Sequence, residues 1–371
     1  MHWTYTLGGF LINELPFVAL LWLAYPTAQA GIDGDLDTPL AVIGLAIAGI
    51  ALIELCVVLR RGLRARVELA GALDTTFGTA PRTTAGSAID DDASWSGHMP
   101  DRHRWWQLVF MPLSFRGRHV RRVANIAYGD AGRRNLLDVY HHRDHTDGPV
   151  LVYFHGGGFR SGHKNREAKP LLHRLARRGW VCVSANYRLA PDARFPDQLI
   201  DAKRVIAWAR HHASAYGGDA ARIYVAGSSA GGHIATTCAL TANDDLFDHA
   251  AGTEDVDTSV LGAISLYGFY GSPDARPGLP SSPHDYLHSA APPMFIAHGD
   301  LDTLALVDDV RAFARDLDDV SANPVVYAEL HGAQHGFDLF RSPRFEAVVD
   351  AVQVFIARTQ PQRDPHPARQ P

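Results

Sequence analysis

An apolar run passes without a spacer into Gly227-Ser228-Ser229-Ala230-Gly231-Gly232 and then into a helical segment, and this feature constrains the fold more than any other in the 371-residue chain. The segment reads RIYVAGSSAGGH, residues 222 to 233. A strand that turns this sharply into a helix needs small residues on both sides of the turn, because a side chain at either glycine meets the neighbouring strand or helix. The tip residue, Ser229, is then raised above the edge of a sheet, as in a nucleophile elbow. A Gly-x-Ser-x-Gly pentapeptide alone is a weak signal. It becomes strong with a strand before it, a helix after it and chemical partners downstream.

The surroundings supply that context. From about Val123 onward, short β-branched runs alternate with helical periodicity, the pattern of a mostly parallel sheet covered on both faces. Strands are expected at Leu136 to Tyr140, Val150 to His155, Trp180 to Ala185, Ile223 to Gly227, Val260 to Tyr267, Pro293 to His298 and Val325 to Leu330. Helices are expected at Glu167 to Arg178, Asp197 to Tyr216, Gly232 to Leu240, Val307 to Val320 and Arg344 to Arg358.

Three further segments carry chemistry. HGGGF, residues 155 to 159, directly follows an apolar strand, and its glycines leave backbone N–H groups uncovered. Together with Ala230, Gly157 and Gly158 are candidates for the donors that hold a tetrahedral oxyanion. The absence of a following Lys-Ser/Thr pair argues against a phosphate-binding loop. PPMFIAHGDLDTL, residues 292 to 304, is a strand ending in a turn with Asp302 as candidate acid and Asp300 as nearest competitor. PVVYAELHGAQHGF, residues 324 to 337, places His335 in a loop after a strand, with His331 as its rival. The order serine, acid, histidine is the one this architecture uses. A serine hydroxyl needs an imidazole to take its proton, and the imidazole needs a carboxylate to fix its tautomer.

HGGGF at 155 to 159, NYRLAP at 186 to 191, GSSAGG at 227 to 232, HGDLD at 298 to 302 and QHGF at 334 to 337 together resemble the hormone-sensitive-lipase-like family of α/β-hydrolases, over roughly Val123 to Arg358. The resemblance implies the α/β-hydrolase fold and cleavage of short to medium acyl esters. It also implies triad roles for Ser229, Asp302 and His335, oxyanion roles for Gly157, Gly158 and Ala230, and a supporting role for Asn186, Tyr187 and Arg188 beneath the HGGGF loop. Amide hydrolysis, small-molecule deacetylation and methylester cleavage use the same triad, and a binding module without turnover is a rival from another class.

The N-terminus departs from that pattern. Leu7 to Tyr25 is an apolar run broken by Asn13, Glu14 and Pro16, and Leu40 to Leu59 is a cleaner one with Glu54 as its single charge. Twenty helical residues span about 30 Å, the thickness of a bilayer's hydrocarbon core. Asn13 and Glu14 are then expected to be satisfied across the helix pair. The alternatives are a cleaved signal ending near Ala30 for the first run, or long buried helices. Arg60, Arg61, Arg64 and Arg66 follow the second run, whereas the intervening loop carries Asp33, Asp35 and Asp37. The arginine side, and the catalytic domain with it, is therefore expected in the cytoplasm of a membrane-anchored protein. The arrangement looks like that of membrane-associated esterases of mycobacteria and related actinobacteria. The expected organisation is an anchor at 1–66, a linker and cap or interfacial segment at 67–122, and the catalytic domain at 123–371. Within the second part, Gly71 to Pro100 reads as linker, and Arg102 to Val123 mixes aromatic and basic residues as a membrane-interface or cap segment would.

Composition narrows the remaining classes. A net charge of −5 gives no basic field suited to nucleic acid. Cys56, Cys182 and Cys238 sit in unrelated apolar contexts, so neither a disulfide framework nor a zinc site is expected, and no motif asks for a cofactor.

Overall fold

The computed structural model describes residues 11–34, 38–78, 117–144 and 147–360. Its centre is an eight-stranded sheet built from β1 (Val120–Ala127), β2 (Leu136–His142), β3 (Gly148–Phe154), β4 (Val181–Ala185), β5 (Gly218–Ser228), β6 (Ala263–Leu266), β7 (Met294–Gly299) and β8 (Val325–Leu330). The spatial order is β1-β2-β4-β3-β5-β6-β7-β8. β2 runs antiparallel to both its neighbours, and all other pairs are parallel. This is the α/β-hydrolase fold.

The sheet is apolar on both faces because helices cover both. Along β3, Val150, Val152 and Phe154 enter one core layer while Leu151 and Tyr153 enter the other, as the two-residue period of a strand requires. The helices, in chain order, are α1 (Pro16–Ile32), α2 (Pro39–Phe77), α3 (Lys169–Arg177), α4 (Asp197–His212), α5 (Ala230–Leu240), α6 (Asp245–Ala251), α7 (Val307–Val320) and α8 (Pro343–Thr359). The first layer is closed by α4, α5, α6 and α7, and the second by α3, α8 and part of α2.

Two expectations are corrected here. The strand β1 was not foreseen: Val120 to Ala127 falls in and beyond the segment expected to be interfacial or cap, and the 122/123 boundary lies inside it. Its edge position explains the arginines, since only one neighbour needs covering and most of its side chains face solvent. The 66/67 boundary likewise lies inside a helix, because α2 continues without interruption to Phe77, so Gly71–Phe77 is helix and not linker. Gly62, Ala65, Leu69 and Leu73, spaced three and four apart, form a stripe buried against the catalytic domain. Arg66 pairs with Asp350 of α8 at 2.8 Å, and Thr76 Oγ1 donates to the Val325 carbonyl at 3.2 Å. Residues 79–116, which hold the rest of the expected linker and most of the aromatic and basic stretch, lie outside the described residues.

Upstream of that stripe, α2 is apolar and bare. Its most apolar window has a mean hydropathy of 2.7 and no buried residue, and it is the one described helix long and apolar enough to cross a membrane. Thr38 caps it by accepting the Ala41 N–H, with Pro39 at the first helical position. α1 packs alongside it. Glu14, just before α1, does not find its partner across the helix pair. It meets Ser342 Oγ at 2.7 Å and the guanidinium of Arg344, at the start of α8, in a fully buried ion pair. A carboxylate placed in a dry site needs a cation there, and the catalytic domain provides it.

Candidate active site

The elbow is set by what its glycines cannot carry. A Cβ on Gly227 would stand 2.0 Å from the Gly231 carbonyl oxygen, and one on Gly231 would stand 2.1 Å from that of Phe154. Between them Ser229 is held at φ 56°, ψ −120°, a left-handed backbone that a residue with a side chain adopts only under constraint. Its N–H donates to the Leu266 carbonyl at 2.9 Å, which pins the turn to β6. Ala230 opens α5, so the positive end of that helix points at the serine.

The structure brings together residues from three strand ends. His335 Nε2 lies 2.8 Å from Ser229 Oγ, and His335 Nδ1 lies 2.7 Å from Asp302 Oδ2. The other oxygen of Asp302 accepts the N–H groups of Leu304 at 2.8 Å and Ala305 at 3.0 Å. Burial works to raise the pKa of this carboxyl, but the hydrogen bond and charge of His335, with the Ala305 amide, hold it below the ordinary carboxylate range. His298 borders Asp302 at 3.4 Å while its Nε2 bonds the Ala305 carbonyl at 2.9 Å; burial lowers the pKa of this imidazole, with Asp302 and the Ala305 carbonyl opposing. The rivals Asp300 and His331 are not in this line. They bond to each other, and Asp300 also accepts the Gly332 N–H at 2.7 Å.

The HGGGF loop faces the same space. Gly157 takes φ +128° with Ser161 packed where a Cβ would stand, and Gly158 takes φ +60°. Gly157, Gly158 and Ala230 share with Ser229 and His335 the lining of one cavity of about 990 Å³, whose walls include Phe159, Phe269, Leu304, Leu339 and Phe340. Beneath the loop, the Tyr187 hydroxyl donates to the His155 carbonyl at 2.7 Å and its ring stacks on His155 at 4.4 Å. Asn186 accepts the Lys164 N–H at 2.8 Å, and the Arg188 guanidinium binds Asp201. Among the described residues, no group of three or more His, Cys, Asp or Glu is placed to hold a metal ion.

Sequence reasoning missed a group of buried polar residues behind these loops. Tyr153, Glu167, Ser228, Tyr267 and Asp338 form one buried hydrogen-bonded cluster. The signals were adjacent to motifs already in view, since Ser228 precedes the elbow serine and Asp338 stands three residues after His335.

The site can be set beside known proteins. The BD-FAE family model matches residues 137–274. The chain is 33% identical over 384 residues to the probable carboxylic ester hydrolase LipM of Mycobacterium tuberculosis, covering 94% of this chain and 85% of that protein. The chain belongs to the hormone-sensitive-lipase-like family of esterases. Another of these esterases, LipQ of the same organism, is 36% identical over 70% of this chain and 64% of its own length. Among solved structures, esterase 2 of Thermogutta terrifontis phosphonylated by cyclosarin is 26% identical, with a TM-score of 0.54 over 63% of this chain and 93% of that one. The same esterase phosphorylated by paraoxon is 25% identical, with a TM-score of 0.55 over 65% and 94%. Those structures cover about two thirds of this chain and nearly all of their own length.

Proposed function

We propose that this protein hydrolyses carboxylic esters of short to medium acyl length through an acyl-enzyme, with Ser229 as nucleophile, His335 as general base and then acid, and Asp302 as the orienting acid. Ester hydrolysis itself follows from membership of the esterase family. The observation that carries the finer reading is one imidazole bonded through Nε2 to Ser229 Oγ and through Nδ1 to Asp302. In that geometry His335 takes the serine proton as Oγ attacks the ester carbonyl, and the Asp302 carboxylate stabilises the imidazolium that forms. The N–H groups of Gly157, Gly158 and Ala230 are assigned to the oxyanion, where preorganised donors need no solvent to reorganise. His335 then returns the proton to the leaving alkoxide, and a water attacking the acyl-enzyme repeats the sequence. The apolar walls of the cavity suit an acyl chain better than a charged group.

The same reading places the enzyme on a membrane with its catalytic domain in the cytoplasm. Support comes from the bare apolar length of α2, from Arg60, Arg61, Arg64 and Arg66 at its domain end, and from acidic Asp33 at the far end of the helix pair.

A serine-reactive phosphonate tests the chemistry. It is expected to label the wild type at Ser229 and leave Ser229→Ala unlabelled, with ester hydrolysis falling at least about a thousandfold. Full activity in that variant, or faster cleavage of amides than of matched esters across an acyl series, overturns the proposal.

A further inference from the structure

The cluster behind the site joins the HGGGF loop, the elbow and the loop that carries His335. Tyr153 comes from β3, Ser228 from the end of β5, Tyr267 from the residue after β6, Glu167 from the turn before α3, and Asp338 from the loop that carries His335. Asp338 and Ser228 are fully buried, and Tyr153 and Tyr267 nearly or fully so. Ser228 Oγ donates to Asp338 Oδ2 at 2.6 Å, the Tyr153 hydroxyl donates to Ser228 Oγ at 2.8 Å, and the Tyr267 hydroxyl donates to Asp338 Oδ1. Tyr153 also reaches toward Asp338 Oδ2 at 3.4 Å and Glu167 Oε2 at 3.5 Å. Glu167 in turn accepts the Gly156 N–H at 2.5 Å, at the head of the HGGGF loop, and the Arg166 Nε at 2.7 Å.

The two carboxylates of this cluster are not equivalent. Glu167 has the Arg166 guanidinium as its counter-charge, whereas the donors to Asp338 are neutral hydroxyls. A hydroxyl donor stabilises a buried carboxylate far less than a cation does. The ring of Tyr267, whose hydroxyl ends on Asp338, packs edge-on against His335 with centroids 4.6 Å apart.

The geometry points to Asp338 as a positioning residue of the ester-hydrolysing site, one that ties the His335 loop to the Ser228-Ser229 elbow and acts on the proton affinity of His335 through Tyr267. This inference rests on the reading of His335 as the base. Burial, and after it the charge of Glu167, push the Asp338 carboxyl up to about 7, with Arg166 and the Ser228 and Tyr267 hydroxyls opposing. The charged groups that face it are thus Glu167 and Arg166, and the titratable ones Tyr153 and Tyr267, both of which burial keeps neutral. Asp338 therefore changes charge in the range where an imidazole base does. Its ionised form adds a negative charge one tyrosine ring away from His335, which favours the imidazolium and moves the rising limb of the pH-rate profile to higher pH.

Asp338→Asn removes that charge and keeps the side chain's shape. The expected result is a kcat lowered roughly 10- to 100-fold by loosened alignment of base and nucleophile, with KM nearly unchanged. The rising limb of kcat/KM is expected to move to lower pH by about half a unit. Tyr267→Phe keeps the ring against His335 but takes a donor from Asp338, which then holds its proton more tightly. Its limb is expected to move the same way, and this variant decides the matter if Asp338→Asn does not fold. A limb that stays at the wild-type position in the folded variants overturns the inference, even where kcat falls, because a purely structural role lowers kcat without moving the limb. A wild type inert toward esters overturns the underlying assignment instead, and the inference falls with it.

Discussion

Asp300 Oδ2 stands 2.7 Å from His331 Nδ1, the same separation as that between Asp302 Oδ2 and His335 Nδ1. Two aspartate-histidine pairs thus lie side by side, built from the same two loops, and the serine meets only one of them. The His331 side chain is 53% exposed, and its loop is held from outside by Glu68 of α2, which accepts the His331 N–H at 3.1 Å. The His335 side chain is 13% exposed and its Nε2 is taken up by Ser229.

That difference ranks four substitutions. His335→Ala and Asp302→Asn are expected to lose at least about a thousandfold in kcat, the latter because the amide leaves the imidazole in the wrong tautomer. His331→Ala and Asp300→Asn are expected to keep most of the activity. Steady-state kinetics on one ester substrate checks the ranking, and a reversal within either pair contradicts it.

The Asp338 carboxyl carries a prediction for stability as well as for rate. Its folded pKa is raised from 3.8 to about 7, so between those values the folded chain keeps a proton that the unfolded chain has released. Its contribution to stability is complete below pH 4 and is lost as the pH rises through 7. The amide of Asp338→Asn does not titrate. The unfolding midpoint of the wild type relative to that variant is therefore expected to fall as pH rises from 4 to 7, and a difference that stays flat contradicts the raised value.

Glu14 and Arg344 are both almost completely buried, so truncating one leaves the other charged and dry. Glu14→Ala is expected to cost about 3 to 5 kcal/mol. Replacing both by apolar residues, as in Glu14→Leu with Arg344→Met, is expected to recover most of that loss. Unfolding of the detergent-solubilised protein measures both. A wild-type midpoint in Glu14→Ala would show that the pair does not persist in solution.

The docked end of α2 separates anchoring from folding. The intact protein is expected to sediment with membranes and to resist a high-salt wash, since an apolar span is held by transfer free energy that salt does not screen. Leu69→Ala lies in the buried stripe and is expected to destabilise the catalytic domain by about 2 to 5 kcal/mol without changing the membrane fraction. Recovery of the intact protein in the soluble fraction without detergent contradicts the membrane assignment.

The sequence disclosed what depends on local pattern and hid what depends on distant partners. The parallel strands were readable because helices cover both faces and force continuous apolar runs; Val325–Leu330 and Val307–Val320 were placed to the residue. The elbow, and the candidates Ser229, Asp302 and His335 that the structure brings within hydrogen-bond distance, could be picked out because steric exclusion at Gly227 and Gly231, and chain order, both leave marks in one dimension. β1 was missed because an edge strand buries little and can carry Arg121 and Arg122. The tail of α2 was missed because its last turns, with Leu73 as the end of the buried stripe, run into a stretch from Gly71 onward whose composition suggests a linker. The Asp338 cluster was invisible as a unit because its members are separated by up to 185 positions. The same holds for Glu14, 330 positions from Arg344.

α2 has no break between its apolar end and the part that packs on the catalytic domain. A tethered enzyme samples a hemisphere of positions whose radius is set by the linker. An enzyme carried on a continuous helix does not. Its 39 residues make a rod about 58 Å long, of which the apolar part suits a bilayer and the remainder is clamped by Ala65, Leu69, Leu73 and the Arg66–Asp350 pair. With the apolar part in a bilayer, the height and the heading of the catalytic cavity above the lipid become fixed properties of the molecule. The rate of encounter with a lipid-borne ester is then governed by diffusion of the substrate in the plane and by the direction from which it arrives, because the enzyme cannot lean toward it.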